Sequence, residues 1–316
     1  MTRRVALAAL ALLLFSAPPS AGEPPALAPG AALAAAPFLW EVTGPKTRHF
    51  VMGSVHLLPP SARPLPVALD AAYAASQMLV VETDLEALAS PEVQGRMLGA
   101  AREDRPGGLQ ARIGKALYRK LQARAGALGM PTPVCAELRA WFCALTLELY
   151  PLQQAGFSME YGVDQHYYAL AREDGRPVIG LETPEFQVGL FAQMPEALSK
   201  QMLAATLDET TSESQSPEEL HRIWRTGDVA ALERVTREMR QRYPELYARI
   251  LADRTRAWAG PLAERMKQEL SLLVVVGAAH LPGPDGLLAL LKARGLVAKP
   301  VAGAVEAPAD SGASPE

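Results

Sequence analysis

The chain has 316 residues, 49% of them apolar and 21% charged, enough core for one large or two medium domains. Its net charge of −3 and pI near 6.0 leave no basic footprint, which argues against nucleic acid as a partner. Two cysteines, Cys135 and Cys143, exclude a C-x-x-C redox or zinc motif.

At the N-terminus Arg3-Arg4 precede an apolar run, Val5 to Phe15, and then small residues through Ala21-Gly22. This is the pattern of a secretory signal peptide over residues 1–22. The run is shorter than the ~20 apolar residues of a membrane span. The expected location is therefore periplasmic or secreted in a bacterial cell, with no stable membrane span after cleavage. Residues 23–37, rich in Pro and Ala, read as a flexible mature N-terminus.

Phe38 to Val42 and His49 to Gly53 predict a hairpin across the turn-prone Thr43-Gly44-Pro45-Lys46. His49 is expected to be exposed on its strand. A helix is predicted from Pro66 to Ser76, then a buried strand, Met78 to Val81, that runs into Glu82. Residues 87–130 read as helical with a break near Arg105-Pro106-Gly107-Gly108, Pro133 to Ala136 as a short strand, and 137–150 as an apolar helix. Eight residues along one helix span about 12 Å, too far for Cys135 and Cys143 to bond. A disulfide requires Cys135 to precede the helix, which Pro131 and Pro133 allow; a bond and two free core thiols both stand at this point.

Glu160 to Glu173 predicts a helix carrying Asp164 and His166, and Pro177 to Thr183 a strand ending in Glu182-Thr183, an echo of Glu82-Thr83. Residues 184–268 read as a long helical insertion, with starts at Ser216-Pro217, Asp228 and Pro244. Leu272 to Gly277 is the most apolar stretch and reads as a strand buried on both faces. A helix from Gly286 to Arg294 and a strand from Val297 to Val301 close the domain, and 302–316 read as a disordered tail. The expected fold is α/β, with a mixed, largely parallel central sheet flanked by helices, over residues 38–301.

The main chemical signal is a pair of Gly-x-x-His motifs, Gly53-Ser54-Val55-His56 and Gly277-Ala278-Ala279-His280, each just after a predicted strand. A lone Gly-x-x-His is explained by a capping histidine after a buried strand. Two, each with an acid at a nearby strand end, suit a divalent metal such as Mn, Co or Zn, with His56, His280 and Glu82 as ligands. Glu82 can instead act as base, with Glu182 beside it, and both glutamates can simply be N-caps or partners of Arg. His166 and His221 have no spaced partner, and Arg254 and Arg256 read as ion-paired or solvated before they read as binders of an anionic substrate. A Gly-x-Ser-x-Gly elbow, a phosphate loop and His-Glu-x-x-His are all missing.

These segments, with Val81-Glu82, Gly180-Leu181-Glu182-Thr183-Pro184-Glu185-Phe186-Gln187 and Gly277 to Gly283, resemble the TraB/GumN family over residues 38 to 301. That family is similar to the metal-dependent Tiki membrane proteases and to erythromycin esterase and a haem-binding lipoprotein. The resemblance implies one hydrolytic site carried by His56, His280 and Glu82, with Glu182 and Asp164 close by. Arg254-Thr255 stands where the family usually has Arg-Asn. The function expected is a metal-dependent hydrolase of peptide or ester bonds acting on a peptide or small molecule. Its rivals are a non-catalytic binder of haem, metal or an envelope partner, and a metal-free enzyme with a His as base.

Overall fold

The computed structural model describes residues 38–130, 135–208 and 217–301. The expected leader, flexible N-terminus and tail lie outside the described residues. Six strands, β1 (Leu39–Thr43), β2 (Arg48–Ser54), β3 (Met78–Val81), β4 (Val178–Gly180), β5 (Leu272–Gly277) and β6 (Ala298–Pro300), form one sheet in the order β4-β3-β5-β2-β1-β6. The four from β4 to β2 run parallel, while β1 is antiparallel to β2 and to β6. The fold is thus α/β with a mixed, mostly parallel sheet. β5 is buried along its whole length because it lies between two parallel neighbours with both faces covered, which its run of Leu and Val allows.

His49 is fully buried, contrary to the exposed position expected from its polar neighbours. One ring nitrogen lies 2.8 Å from the Met266 carbonyl and the other accepts the Leu272 N–H at 3.3 Å. It ties β2 to the segment that leads into β5. Flanking polarity cannot report that a distant turn covers this strand face.

Helices α1 (Val67–Ala74), α2 (Leu85–Leu88), α3 (Pro91–Ala101), α4 (Gly108–Ile113) and α5 (Lys115–Ala127) precede α6 (Ala140–Gln154) and α7 (Val163–Glu173). After β4 come α8 (Pro184–Ala192), α9 (Glu196–Thr206), α10 (Pro217–Arg225), α11 (Val229–Arg242), α12 (Pro244–Tyr247) and α13 (Asp253–Arg265), with α14 (Leu287–Lys292) between β5 and β6. Residues 248–252 are a π-helical turn that carries α12 into α13. The starts follow the local sequence. Thr183 accepts the Phe186 N–H at 3.2 Å to cap α8, and Asp228 accepts the Ala231 N–H at 2.9 Å to cap α11.

One hydrophobic core surrounds the sheet and includes Val51, Leu79, Val274, Trp258 and Leu262. A second, wholly helical core holds Trp141, Cys143, Met202, Leu203 and Ile250, with α6 packed on α9. No helix among the described residues is long and apolar enough to cross a membrane.

Cys135 and Cys143 form a disulfide. Cys135 sits in a turn ahead of α6, which brings its Cα to 5.5 Å from that of Cys143. The short strand expected at Pro133 to Ala136 is not formed in its described part, since Cys135 and Ala136 are in that turn, and 131–134 lie outside the described residues. A Cys135→Ala/Cys143→Ala double variant is expected to lose about 2.5 kcal/mol, the loop-closure entropy of so short a bridge. Urea denaturation checks this; a midpoint equal to the parent's would mean that the bridge adds no stability.

Candidate active site

The site lies at the carboxyl ends of the parallel strands, where open α/β sheets hold their ligands. Ser54 pairs with Gly277 across β2 and β5, and Val81 pairs with Val275 across β3 and β5. His56, His280 and Glu82, each a few residues beyond its strand, are therefore brought to one point. All three are buried. The two Glu-Thr segments are physically joined, because the β3–β4 ladder continues past the strands. Leu181 N–H donates to the Val81 carbonyl at 2.9 Å and Glu182 N–H to the Glu82 carbonyl at 2.8 Å.

Gly277 is the floor of the site. A methyl group there would stand 3.1 Å from Glu82 Oε1, 3.5 Å from His56 Nε2 and 3.6 Å from the His280 ring. Glycine thus lets both imidazoles and the carboxylate converge on one backbone position. Its N–H donates to Glu82 Oε1 at 2.7 Å.

Asp164 comes from the first turn of α7. That helix is hooked to the first histidine loop by Val163 N–H, which donates to the Val55 carbonyl at 3.1 Å. Gly162 permits this approach, since any side chain there would collide with the His56 carbonyl. Asp164 Oδ2 is 2.6 Å from His56 Nδ1, while its Oδ1 is buried with no hydrogen-bond partner. The bond to Asp164 turns His56 Nε2 toward Gly277 and Glu82.

Arg254, on α13, is the hub. Its Nη2 donates to Glu82 at 2.6 Å and to Glu182 at 2.8 Å, its Nε donates to Glu182 at 2.9 Å, and its Nη1 donates to the Ile250 carbonyl at 3.1 Å and to His280 Nε2 at 3.3 Å. A guanidinium has no acceptor, so His280 Nε2 must be the acceptor and the ring proton sits on Nδ1. From there it donates to Thr255 Oγ1 at 2.7 Å, whose own hydroxyl donates to the Leu251 carbonyl at 2.7 Å. Trp258, one turn further on α13, lies 4.4 Å from the His280 ring and donates its indole N–H to Glu182 at 3.0 Å.

This arrangement drives the two histidines in opposite directions. Burial works against a charged His56, but the Asp164 carboxylate, with Glu82 adding to it, outweighs burial and raises its pKa above 6.5. Burial lowers His280 to about 3, and the nearby Arg254 cation and His56 add to that. Burial alone would raise Glu82, yet Arg254 and the histidines hold it down at about 2. Glu182 is raised, first by burial and also by the Glu82 charge.

A family model for the TraB/PrgY/gumN family matches residues 38–300. The chain belongs to that family. Among its relatives is the uncharacterized protein YbaP of Escherichia coli K12, 26% identical over 258 residues, which cover 80% of this chain and 91% of YbaP. YbaP of Shigella flexneri is 25% identical over the same share of each chain. No solved structure matches the chain.

In this TraB/PrgY/gumN protein the expected site residues lie at one point: Arg254 joins Glu82, Glu182 and His280 by hydrogen bonds, and the His56–Asp164 pair stands beside them across Gly277. His166 meets Tyr167 edge-on and His221 stacks on Trp224, both outside this group. Arg256 is an exposed partner of Asp253 and Asp285. Sequence reasoning missed Trp258 and assigned no role to Thr255 or to Gln187, whose amide lies 3.3 Å from Glu182. Trp258 had a signal in its spacing, one helical turn after Arg254.

The donors do not fit a divalent ion as they stand. Among the described residues, no group of three or more His, Cys, Asp or Glu side chains is placed to hold one. Both Glu82 oxygens and His280 Nε2 are already engaged, and the Arg254 guanidinium stands between these would-be ligands. A cation beside that guanidinium would meet like charge at short range.

Proposed function

We propose that this protein is an exported hydrolase of peptide or ester bonds in which His56, oriented by Asp164, moves the proton. The observation that carries this reading is the 2.6 Å contact between His56 Nδ1 and Asp164 together with the position of Nε2 over Gly277. With the Nδ1 proton held on Asp164, neutral His56 keeps a lone pair on Nε2. Nε2 takes a proton from a water molecule as the water oxygen bonds to the substrate carbonyl carbon. It then returns that proton to the leaving amine or alcohol as the carbon–nitrogen or carbon–oxygen bond breaks.

His280 does not compete for the proton, because its lone pair is spent on Arg254. Histidines pushed apart in this way are what a division between a proton-transfer group and a neutral structural group requires. The side chains are buried, so the substrate must reach them by opening of the site. A cleft of about 730 Å³ between α8, α9, α12 and α13 ends on Arg254 and offers the approach. Export is supported by the Cys135–Cys143 disulfide, a bond that persists in oxidising compartments.

The test is hydrolysis of a panel of peptides and esters by the full chain beside His56→Ala and His280→Ala, with and without a chelator. We expect turnover that falls at least a hundredfold in His56→Ala and survives chelation. Undiminished turnover in His56→Ala would sink the assignment, and chelator-sensitive turnover restored by Mn, Co or Zn would overturn its metal-free form. The burial of these side chains and the engagement of Glu82, Glu182 and His280 by Arg254 favour a second reading, a non-catalytic binder of haem or an envelope partner. Saturable binding of such a ligand, without turnover of any substrate, would select it.

A further inference from the structure

The start of α6 lies beside a second cavity, of about 540 Å³, lined by Asp104, Arg105, Arg112, Arg139, Trp141 and Ser199 among others. Three of these are arginines, and they differ in what they already hold. Arg112 is bonded to Glu103 through two nitrogens and to Glu196 through a third. Arg105 lies 3.5 Å from Glu196. Arg139 has no ion pair or side-chain hydrogen bond among the described residues, and its Nε is buried without a partner.

The wall beside Arg139 has a second orphan donor. Trp141 is 1% exposed, and its indole N–H has no acceptor, although a buried indole N–H nearly always finds one. Its ring is held between Phe142 and Phe191, and its backbone N–H donates to Ser199 Oγ at 2.8 Å. Arg139 is the N-cap of α6, and Trp141 lies in the first turn, where the helix dipole adds positive potential. The Cys135–Cys143 bridge straddles Arg139 and restrains the segment that carries it.

We propose that this cavity binds a carboxylate group, held by the Arg139 guanidinium and the Trp141 indole N–H. A carboxylate presents two coplanar oxygens to a guanidinium fork, and one of them can also accept from the indole. The pattern of ion pairs, rather than the net charge, selects a group with a single negative charge. Arg112 is paired with Glu103 and Glu196, and Arg105 lies beside Glu196, so Arg139 is the lining arginine without an ion pair among the described residues, and a doubly charged phosphate would face Glu196 and the exposed Asp104 on the rim. The cavity is much larger than a carboxylate alone, so the remainder of the ligand has room. The group can belong to a small organic acid or to the C-terminus of a peptide. The site is separate from the His56 network. The α8–α9 corner forms a wall of both cavities, with Met194, Glu196 and Ser199 here and Gln193, Pro195 and Leu198 on the cleft that reaches Arg254.

Isothermal titration of the full chain with acetate, N-acetyl-trialanine, its C-terminal amide and inorganic phosphate tests the assignment. The free-acid peptide, acetate or both are expected to bind saturably, with the amide at least tenfold weaker than the free acid. Arg139→Gln and Trp141→Phe are each expected to weaken carboxylate binding at least tenfold. Trp141→Phe keeps the ring and removes only the N–H, while Arg139→Gln is a partly exposed change that leaves the core intact. Acetate binding as tightly as the peptide assigns the site to small acids, and preference for the peptide assigns it to chain ends. No saturable binding of either carboxylate, equal binding of the amide, tighter binding of phosphate, or folded variants that bind like the parent would each overturn the proposal.

Discussion

Arg254→Met is expected to cost about 3–5 kcal/mol of folding stability, the range for removing one partner from a buried ion network. The Arg254 side chain is only 2% exposed, and its partners Glu82 and Glu182 are 5% and 6% exposed, so solvent cannot take over its role. Without the guanidinium two buried carboxylates face each other, with Glu82 keeping the Gly277 N–H and Glu182 keeping Trp258 and Gln187. His280 Nε2 loses the Arg254 donor as well. Arg254→Lys should recover only part of the loss, because one ammonium cannot bridge both carboxylates, a backbone carbonyl and an imidazole at once. A compensated variant separates charge from packing. Adding Glu82→Gln and Glu182→Gln to Arg254→Met removes the stranded charges and should regain more than half of the loss. Urea denaturation gives all these values. A loss below about 1 kcal/mol for Arg254→Met would mean that water enters the network and that the site is not closed.

The histidines and glutamates at the strand ends were legible because local sequence determines both halves of the pattern. An apolar run specifies a buried strand, and a residue just past it reaches the carboxyl edge of the sheet. The β3–β5 and β2–β5 pairings then bring His56, Glu82 and His280 together without any signal that only three dimensions carry. Asp164 was legible only as a candidate. Its contact depends on Gly162 lying against the His56 carbonyl and on Val163 bonding to Val55, and neither can be read from a helix pattern. Arg254 was harder still. An arginine in a polar helix reads as surface, and its carboxylates lie 72 and 172 residues away in the chain. The replacement of Asn by Thr at 255 left the role of that segment unspecified. The structure gives the Thr255 hydroxyl the task of receiving the His280 ring proton, which a side chain with an acceptor oxygen can do. His49 was misplaced for the same kind of reason, because the Met266 turn that buries it is far off in sequence.

Asp164→Asn is expected to lower kcat/KM for hydrolysis by on the order of 10²–10⁴, the span between losing general-base help and holding a histidine in the wrong tautomer. The substitution keeps the shape but replaces an acceptor by an amide. The amide nitrogen would donate to His56 Nδ1, and the ring proton would move to Nε2, where the lone pair is needed. Geometry and burial are otherwise preserved, so the loss should appear mainly in kcat. The pH profile adds a readout that mere misfolding would not produce. The acid limb of kcat/KM reports the protonation of His56, which must be neutral to act as base, so in the parent the limb should lie above pH 6.5. Burial pulls this pKa down, and it is the Asp164 carboxylate that chiefly lifts it. With the carboxylate gone, burial is the largest influence left, opposed by Glu82 alone among the named charges, and the limb of the residual activity should move to lower pH. The stability contribution has the matching sign. A raised folded-state pKa stabilises the protein below about pH 6.5, the ordinary value, and that gain fades as pH rises through the raised value. Asp164→Asn should therefore lose more stability at pH 5.5 than at pH 8.5. Equal losses at both pH values, with an unmoved rate limb, would separate Asp164 from the proton on His56 and leave it a packing residue of α7.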